Sequence, residues 1–228
     1  MKLHNNKLTR ANLRDFILGW QDGLVNVLSL ILGIAGATNN SKIVIISGLV
    51  ATFAESISMA AVAFTSSKAA KDYYYSELER EKQELKQKPG IEKRIIKSIF
   101  YKKGFRRKLL SQIVNKIISN KKVWLDTVMS EELRIFSEDY EKPLKNAMVV
   151  GISTVIGSLI PLMPFFFLPV SLGIFTSLIL AILVLFFVGA VKAKLTIGDW
   201  KTSGIQMALI GTIAALIGYY IGVLLGNW

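Results

Sequence analysis

Charge is nearly absent from long stretches of this 228-residue chain and crowded into one. Of 44 charged residues, 32 lie between Ser67 and Lys145, while the blocks on either side are long and apolar. A helix needs roughly 20 consecutive apolar residues to cross the hydrocarbon core of a bilayer. The alternative spanning solution, a closed barrel, requires alternating strands and not continuous apolar runs. The blocks therefore predict an all-α integral membrane bundle. Its five spans cover about Phe16–Ala37, Ile43–Phe64, Ala147–Phe167, Pro169–Val191 and Ile205–Leu225, with Thr38-Asn39-Asn40-Ser41 as a short turn between the first two. Pro161, Pro164 and Pro169 are expected to break the third span and turn the chain, because proline lacks the amide donor of a helix interior.

The division that follows is residues 1–66 for the N-terminal tail and two spans, 67–145 for a polar insert, and 146–228 for three further spans. Lys and Arg in the loops set the orientation. The tail carries Lys2, Lys7, Arg10 and Arg14, the insert 20 Lys plus Arg, and the fourth link Lys192, Lys194 and Lys201. The first turn has only Lys42, and the third link and the C-terminal end have none. This alternation predicts a cytoplasmic tail and insert, with the C-terminus on the opposite side. The polar tail and Asp22 in the following apolar stretch argue against a cleaved signal peptide. A net charge of +12 reads as retained cytoplasmic loops and contact with anionic lipid, not nucleic-acid binding.

The insert is expected to fold into three or four short amphipathic helices. Tyr73 to Lys88 has helical composition and stops at Pro89-Gly90. Ile91, Ile95, Ile96 and Ile99 recur at helical spacing, as do Leu109, Leu110, Ile113, Ile117 and Ile118, and a last stripe runs through Trp124, Val128, Leu133 and Phe136. Glu77, Glu81 and Glu84 share one helical face, which reads as a solvated surface with pairs such as Glu84–Lys88. Gly19 and Gly23, and Gly218, Gly222 and Gly226, have the spacing at which helix backbones approach closely in lipid, as bundle packing or a dimer seam.

Chemistry concentrates in two acidic residues inside the spans. A charge at membrane depth costs at least about 2.5–3.5 kcal/mol, so such residues line a pathway or pair with a partner. Asp22 lies in the first span, near its interface or deeper. Glu55 lies well inside the second, as a pathway residue or as a neutral acid bonded to a serine. Asn26 shares the helical face of Asp22, Met59 that of Glu55, and Ser56 and Ser58 add oxygens nearby. Packed together, Asp22, Asn26, Glu55 and Met59 would line one polar transport pathway. Carboxylates with a thioether suit a transition metal such as ferrous iron better than calcium or magnesium. There is no cysteine, the single His4 is in the tail, and no serine–histidine, metalloprotease or phosphate-binding motif stands out, so no enzyme is expected.

These residues also resemble a family. Asp22-Gly23-Leu24-Val25 looks like the motif opening the first span of vacuolar iron transporters. Phe53-Ala54-Glu55-Ser56-Ile57-Ser58-Met59-Ala60 resembles their second span. Pro143-Leu144-Lys145-Asn146-Ala147, followed by Gly157-Ser158-Leu159-Ile160-Pro161-Leu162-Met163-Pro164, resembles their third. The resemblance implies a homodimer that exchanges ferrous iron, or manganese, for protons and moves the metal out of the cytosol, with no permanently bound cofactor. It implies metal-contacting roles for Asp22, Glu55 and Met59, while Ala63 stands where a further pore methionine is expected. It also implies a metal-capturing insert, with Glu81, Glu84, Glu92, Met129 and Glu132 at matching positions and Ile95 where another glutamate is expected. The membrane that hosts the chain, plasma membrane or a vacuole-like one, stays open. The competing expectation is a membrane-anchored scaffold whose basic insert binds lipid or nucleic acid.

Overall fold

The computed structural model describes residues 2–136, 142–195 and 198–226, and every regular element among them is helical. In order these are α1 (Lys2–Thr38), α2 (Ser41–Gln87), α3 (Pro89–Lys102), α4 (Arg107–Ile118), α5 (Lys121–Thr127), a π-helical turn (Val128–Glu132), α6 (Pro143–Phe167), α7 (Val170–Leu195) and α8 (Trp200–Gly226). Five of them, α1, α2, α6, α7 and α8, have segments long and apolar enough to cross a membrane. The chain divides into two compact units: residues 1–64 with 144–228, and residues 65–143.

In the first unit α1 is the central helix. Trp20, Leu24, Val27, Leu28, Ile31, Leu32 and Ala35 recur at three- and four-residue spacing along it and are all buried. Its glycines seat the neighbours. A Cβ on Gly23 would lie 2.6 Å from Ser158 Oγ of α6, and one on Gly222 of α8 would meet the backbone of Gly33. Both glycine stripes thus serve packing within the chain, α1 against α6 and α1 against α8, and Ser29 fastens the second seam by donating to the Ala214 carbonyl at 2.8 Å. In lipid, where apolar side chains gain nothing by leaving the solvent, such close approach and buried hydrogen bonds hold the bundle.

The turn after α1 is closed by Asn40, whose Oδ1 accepts from the amides of Lys42 at 3.0 Å and Ile43 at 3.3 Å. Asp199 caps α8 in the same way through the amide and hydroxyl of Thr202. The expectation that three prolines break the third span needs correction. Pro161 and Pro164 lie inside α6, which continues to Phe167, and the chain turns only at Leu168-Pro169. A proline inside a membrane-spanning helix is tolerated where neighbouring helices pack around it, and Pro161 is buried among them. Ser177 of α7, fully buried, donates to the Pro161 carbonyl at 2.6 Å.

The second unit begins within α2, which runs without a break from the second span through Gln87. Nothing between Phe64 and Tyr73 stops a helix: the stretch has neither proline nor glycine. Pro89 then takes the first turn of α3, where its missing amide costs nothing. The core of this unit is Ile96, Leu110, Val114, Ile117, Trp124 and Val128. The stripe expected through Phe136 is shorter than predicted. Helix α5 ends at Thr127, a π-helical turn carries Val128 to Glu132, and residues 134–136 are not helical, with Arg134 at a φ of +57°.

Candidate functional site

The two acidic residues of the spans face each other. Asn26 Nδ2 on α1 donates to Glu55 Oε1 on α2 at 2.9 Å, and the Asp22 carboxyl lies within hydrogen-bonding reach of both Glu55 and Asn26. Asn26 follows Asp22 by one helical turn, so α1 presents an acid and an amide on one face, and α2 brings a second acid to them. The serine partner considered for Glu55 is replaced by this amide. Ser56, the next residue, is turned elsewhere: it donates to the Gly151 carbonyl of α6 at 2.8 Å and fixes α2 beside that helix. Buried Thr52 donates along α2 to Gly48 at 2.8 Å. Met59 stands one turn beyond Glu55 on the same face and is half-buried, and Ser58 is exposed.

Two charged carboxylates this close repel each other, and a proton or a cation between them relieves the repulsion. The arrangement can therefore exchange one for the other. The amide supplies a donor for whichever carboxylate is charged, and its carbonyl is a further hard ligand. Asp15 was not singled out from the sequence. It lies two helical turns before Asp22, on the same side of α1, is buried to 8% exposure, and meets Arg14 at 3.3 Å. It stands at the junction of tail and span beside Arg14, where its spacing carries no distinguishing pattern.

The insert holds a second acidic group. Glu77, Glu81 and Glu84 on α2 are not a solvated face. Glu77 and Glu81 are buried, and Arg80 is the cation that meets all three. Glu92 on α3 is fully buried, and its Oε2 has no hydrogen-bond partner among the described residues. Burial pushes the Glu92 carboxyl above the usual glutamate range, and the nearby charges of Glu81, Glu132 and Glu84 push it further. Glu132 in the π-helical turn is raised likewise, by partial burial and then by Glu81 and Glu84. Met129 in the same turn is buried. The fold thus gathers Glu81, Glu84, Glu92 and Glu132 into one field of negative charge. Among the described residues, no three acidic or histidine side chains converge tightly enough to hold a metal ion.

Comparison with known proteins matches these features to one family. The sequence pattern of the VIT family matches residues 13–223. The chain is 32% identical to vacuolar iron transporter 1 of Tulipa gesneriana over 208 residues, which is 91% of this chain and 84% of that protein. It is 31% identical to vacuolar iron transporter 1 of Arabidopsis thaliana, over 89% of this chain and 82% of that one. With the vacuolar iron transporter of Plasmodium falciparum it shares 30% over 98% and 85%.

Proposed function

The chain belongs to the VIT family, and we propose that it is a proton-coupled ferrous-iron transporter that carries the metal out of the cytosol. The observation that carries this reading is the meeting of Asp22, Asn26 and Glu55 between two membrane-spanning helices. A carboxylate pair in that setting binds a dication and releases it when protonated, so one site couples metal to proton flow. Met59, one turn along α2, adds a soft ligand that favours iron over metals content with oxygen. Manganese is the alternative cargo on the same residues.

In this reading the insert captures metal through Glu81, Glu84, Glu92, Met129 and Glu132. The tail and insert face the cytosol, as the alternation of Lys and Arg requires. The protein works as a homodimer in lipid. Helix α2 leaves Val50, Phe53 and Ile57 exposed, and only 17% of its apolar window is buried against 50% in α6, so a second copy has an apolar face to meet.

The test is ferrous-iron uptake by proteoliposomes with and without a pH gradient. Uptake should follow the gradient in the native protein. A well-folded Glu55→Gln protein that moves iron at the native rate with native pH dependence would overturn the assignment and favour the scaffold. Orientation is read separately, by single cysteines introduced into the cysteine-free chain. Ser41 and Lys103 should be labelled from opposite sides.

A further inference from the structure

Arg80 sits among the insert's acidic residues and is bound by three of them. Its Nη2 lies 2.8 Å from Glu77 Oε2 and 3.1 Å from Glu81 Oε1, its Nη1 donates to Glu77 Oε1 at 3.1 Å, and its Nε lies 3.8 Å from Glu84 Oε1. Helical spacing makes this arrangement. Glu77 and Glu84 lie one turn before and one turn after Arg80, and Glu81 is its neighbour, so one guanidinium fork reaches all three. The two inner partners are desolvated, with side chains 12% and 5% exposed for Glu77 and Glu81. Arg80 itself is 51% exposed, on a flexible stem that can swing into water without moving a helix.

Glu92 is the second, independent observation. Its Oε2 is buried without a hydrogen-bond partner among the described residues, within the field of Glu81, Glu84 and Glu132. Arg80 is thus the cation in direct contact with the α2 carboxylates, while Lys88 acts on Glu92 only through its charge and leaves Oε2 without a hydrogen-bond partner among the described residues. A guanidinium occupies carboxylate lone pairs at hydrogen-bond distance, whereas a divalent transition metal takes the same lone pairs at about 2.0–2.2 Å. Arg80 holds Oε1 of Glu81, and its fixed positive charge beside that carboxylate opposes the approach of a dication to the same group.

We infer that Arg80 is a tethered counter-cation of the insert's acidic cluster, which a captured divalent metal must displace, so that Arg80 sets the affinity of capture. This rests on the reading that the cluster captures metal. Capture is then an exchange of cations, in which the side chain swings outward as Glu81 and Glu84 turn to a metal shared with Glu92.

The experiment uses the full chain in detergent, zinc ions as the probe, calorimetry for affinity, and melting in chelator and in zinc. Arg80→Gln should bind zinc about tenfold more tightly, an effect kept modest by the half-exposed position of the arginine. It should melt below the native protein in chelator, because buried Glu77 and Glu81 lose their partner, and should gain more from zinc. Arg80→Lys should lie between the two. Adding Glu92→Gln to Arg80→Gln should remove the gain in affinity.

Equal zinc affinity in native and Arg80→Gln protein, both weakened by Glu92→Gln, would overturn the inference and leave the capture reading standing. A loss of melting temperature that is the same with and without zinc would make Arg80 merely structural and also overturn it. If Glu92→Gln changes zinc binding in neither background, the capture reading fails and the inference with it.

Discussion

In the membrane body, Asp22 and Glu55 are met by the neutral amide of Asn26, whereas in the insert Glu77, Glu81 and Glu84 are met by the guanidinium of Arg80. Both places crowd carboxyl groups, yet among the described residues a cation is paired with them only in the insert. The physical setting accounts for the difference. A permanent positive charge held at membrane depth would itself need compensation and would occupy the pair at all times. An amide orients the acids without neutralising them, which under the proposed function leaves their charge to a proton or a passing metal. Arg80 is half exposed, where a guanidinium on a long stem is inexpensive to hold and easy to release.

The largest effects should come from forcing the membrane site to resemble the insert. Asn26→Lys would give Asp22 and Glu55 a tethered ammonium of their own. Iron uptake by proteoliposomes should fall to background, as it should in Asp22→Asn and Glu55→Gln, which remove a charge and keep the shape. The milder Asn26→Leu removes only the orienting amide. Loss of a residue that orients a metal ligand typically costs about 10–100-fold, and uptake should fall within that range. Native uptake by a well-folded Asn26→Lys protein would show that the acids do not need to be free of a fixed cation, and the contrast between the two regions would lose its meaning.

A smaller effect, on stability, sharpens the insert side. Glu92 and Glu132 have carboxyls raised above the ordinary range, chiefly by burial. A raised acid is held protonated by the fold at a pH where the unfolded chain has already released its proton. Between the ordinary value, about 4.3, and the raised one, the folded state binds more protons, so stability falls as pH rises through that window and stays lower above it. Melting followed by helical signal should therefore show an insert less stable at pH 7 than just above pH 4. A divalent ion that binds the folded cluster should restore part of the loss at pH 7. The restoration should disappear in Glu92→Gln. An insert equally stable across the window would mean that the burial of Glu92 is relieved in solution.

Much of this organisation was readable from the residues. Asp22 and Glu55 are conspicuous because a carboxylate inside an apolar block has few bland explanations, and Asn26 follows from one turn of helix. The glycine stripes predicted close packing, and the structure assigns them to particular partners, Gly23 to Ser158 and Gly222 to Gly33. What escaped depended on context that spacing does not carry. Arg80 is one of 20 basic residues in the insert, and only the burial of Glu77 and Glu81 distinguishes it from the others. Asp15 was hidden by its neighbour Arg14. The prolines of α6 were given their usual helix-breaking weight, which holds in water but is overridden where neighbouring helices pack around a buried proline such as Pro161. The continuity of α2 was missed because a change from apolar to polar composition was taken for an end of the helix, when only the surroundings of the helix change.

The smallest expected effect concerns Met59, and it separates two properties that the membrane site combines. In the proposed mechanism Asp22 and Glu55 bind protons as well as metals, so any variant that keeps them should keep competition between the two. Met59 takes no proton at any ordinary pH and offers only a soft, neutral sulfur. Met59→Leu conserves volume and removes the sulfur, so its packing cost is small, under about 1.5 kcal/mol. The variant should therefore transport metal with an unchanged pH dependence, while its preference moves from iron toward manganese, which is content with oxygen ligands. A single weak neutral ligand is worth only a modest factor, roughly three- to tenfold in the ratio of the two uptake rates, if its share is comparable to one ordinary protein–ligand hydrogen bond of about 1 kcal/mol. The measurement is paired uptake of ferrous iron and manganese in the same proteoliposomes at two pH values. A changed pH profile with an unchanged metal ratio would assign Met59 to the shape of the proton path and leave metal choice to the carboxylates and the amide.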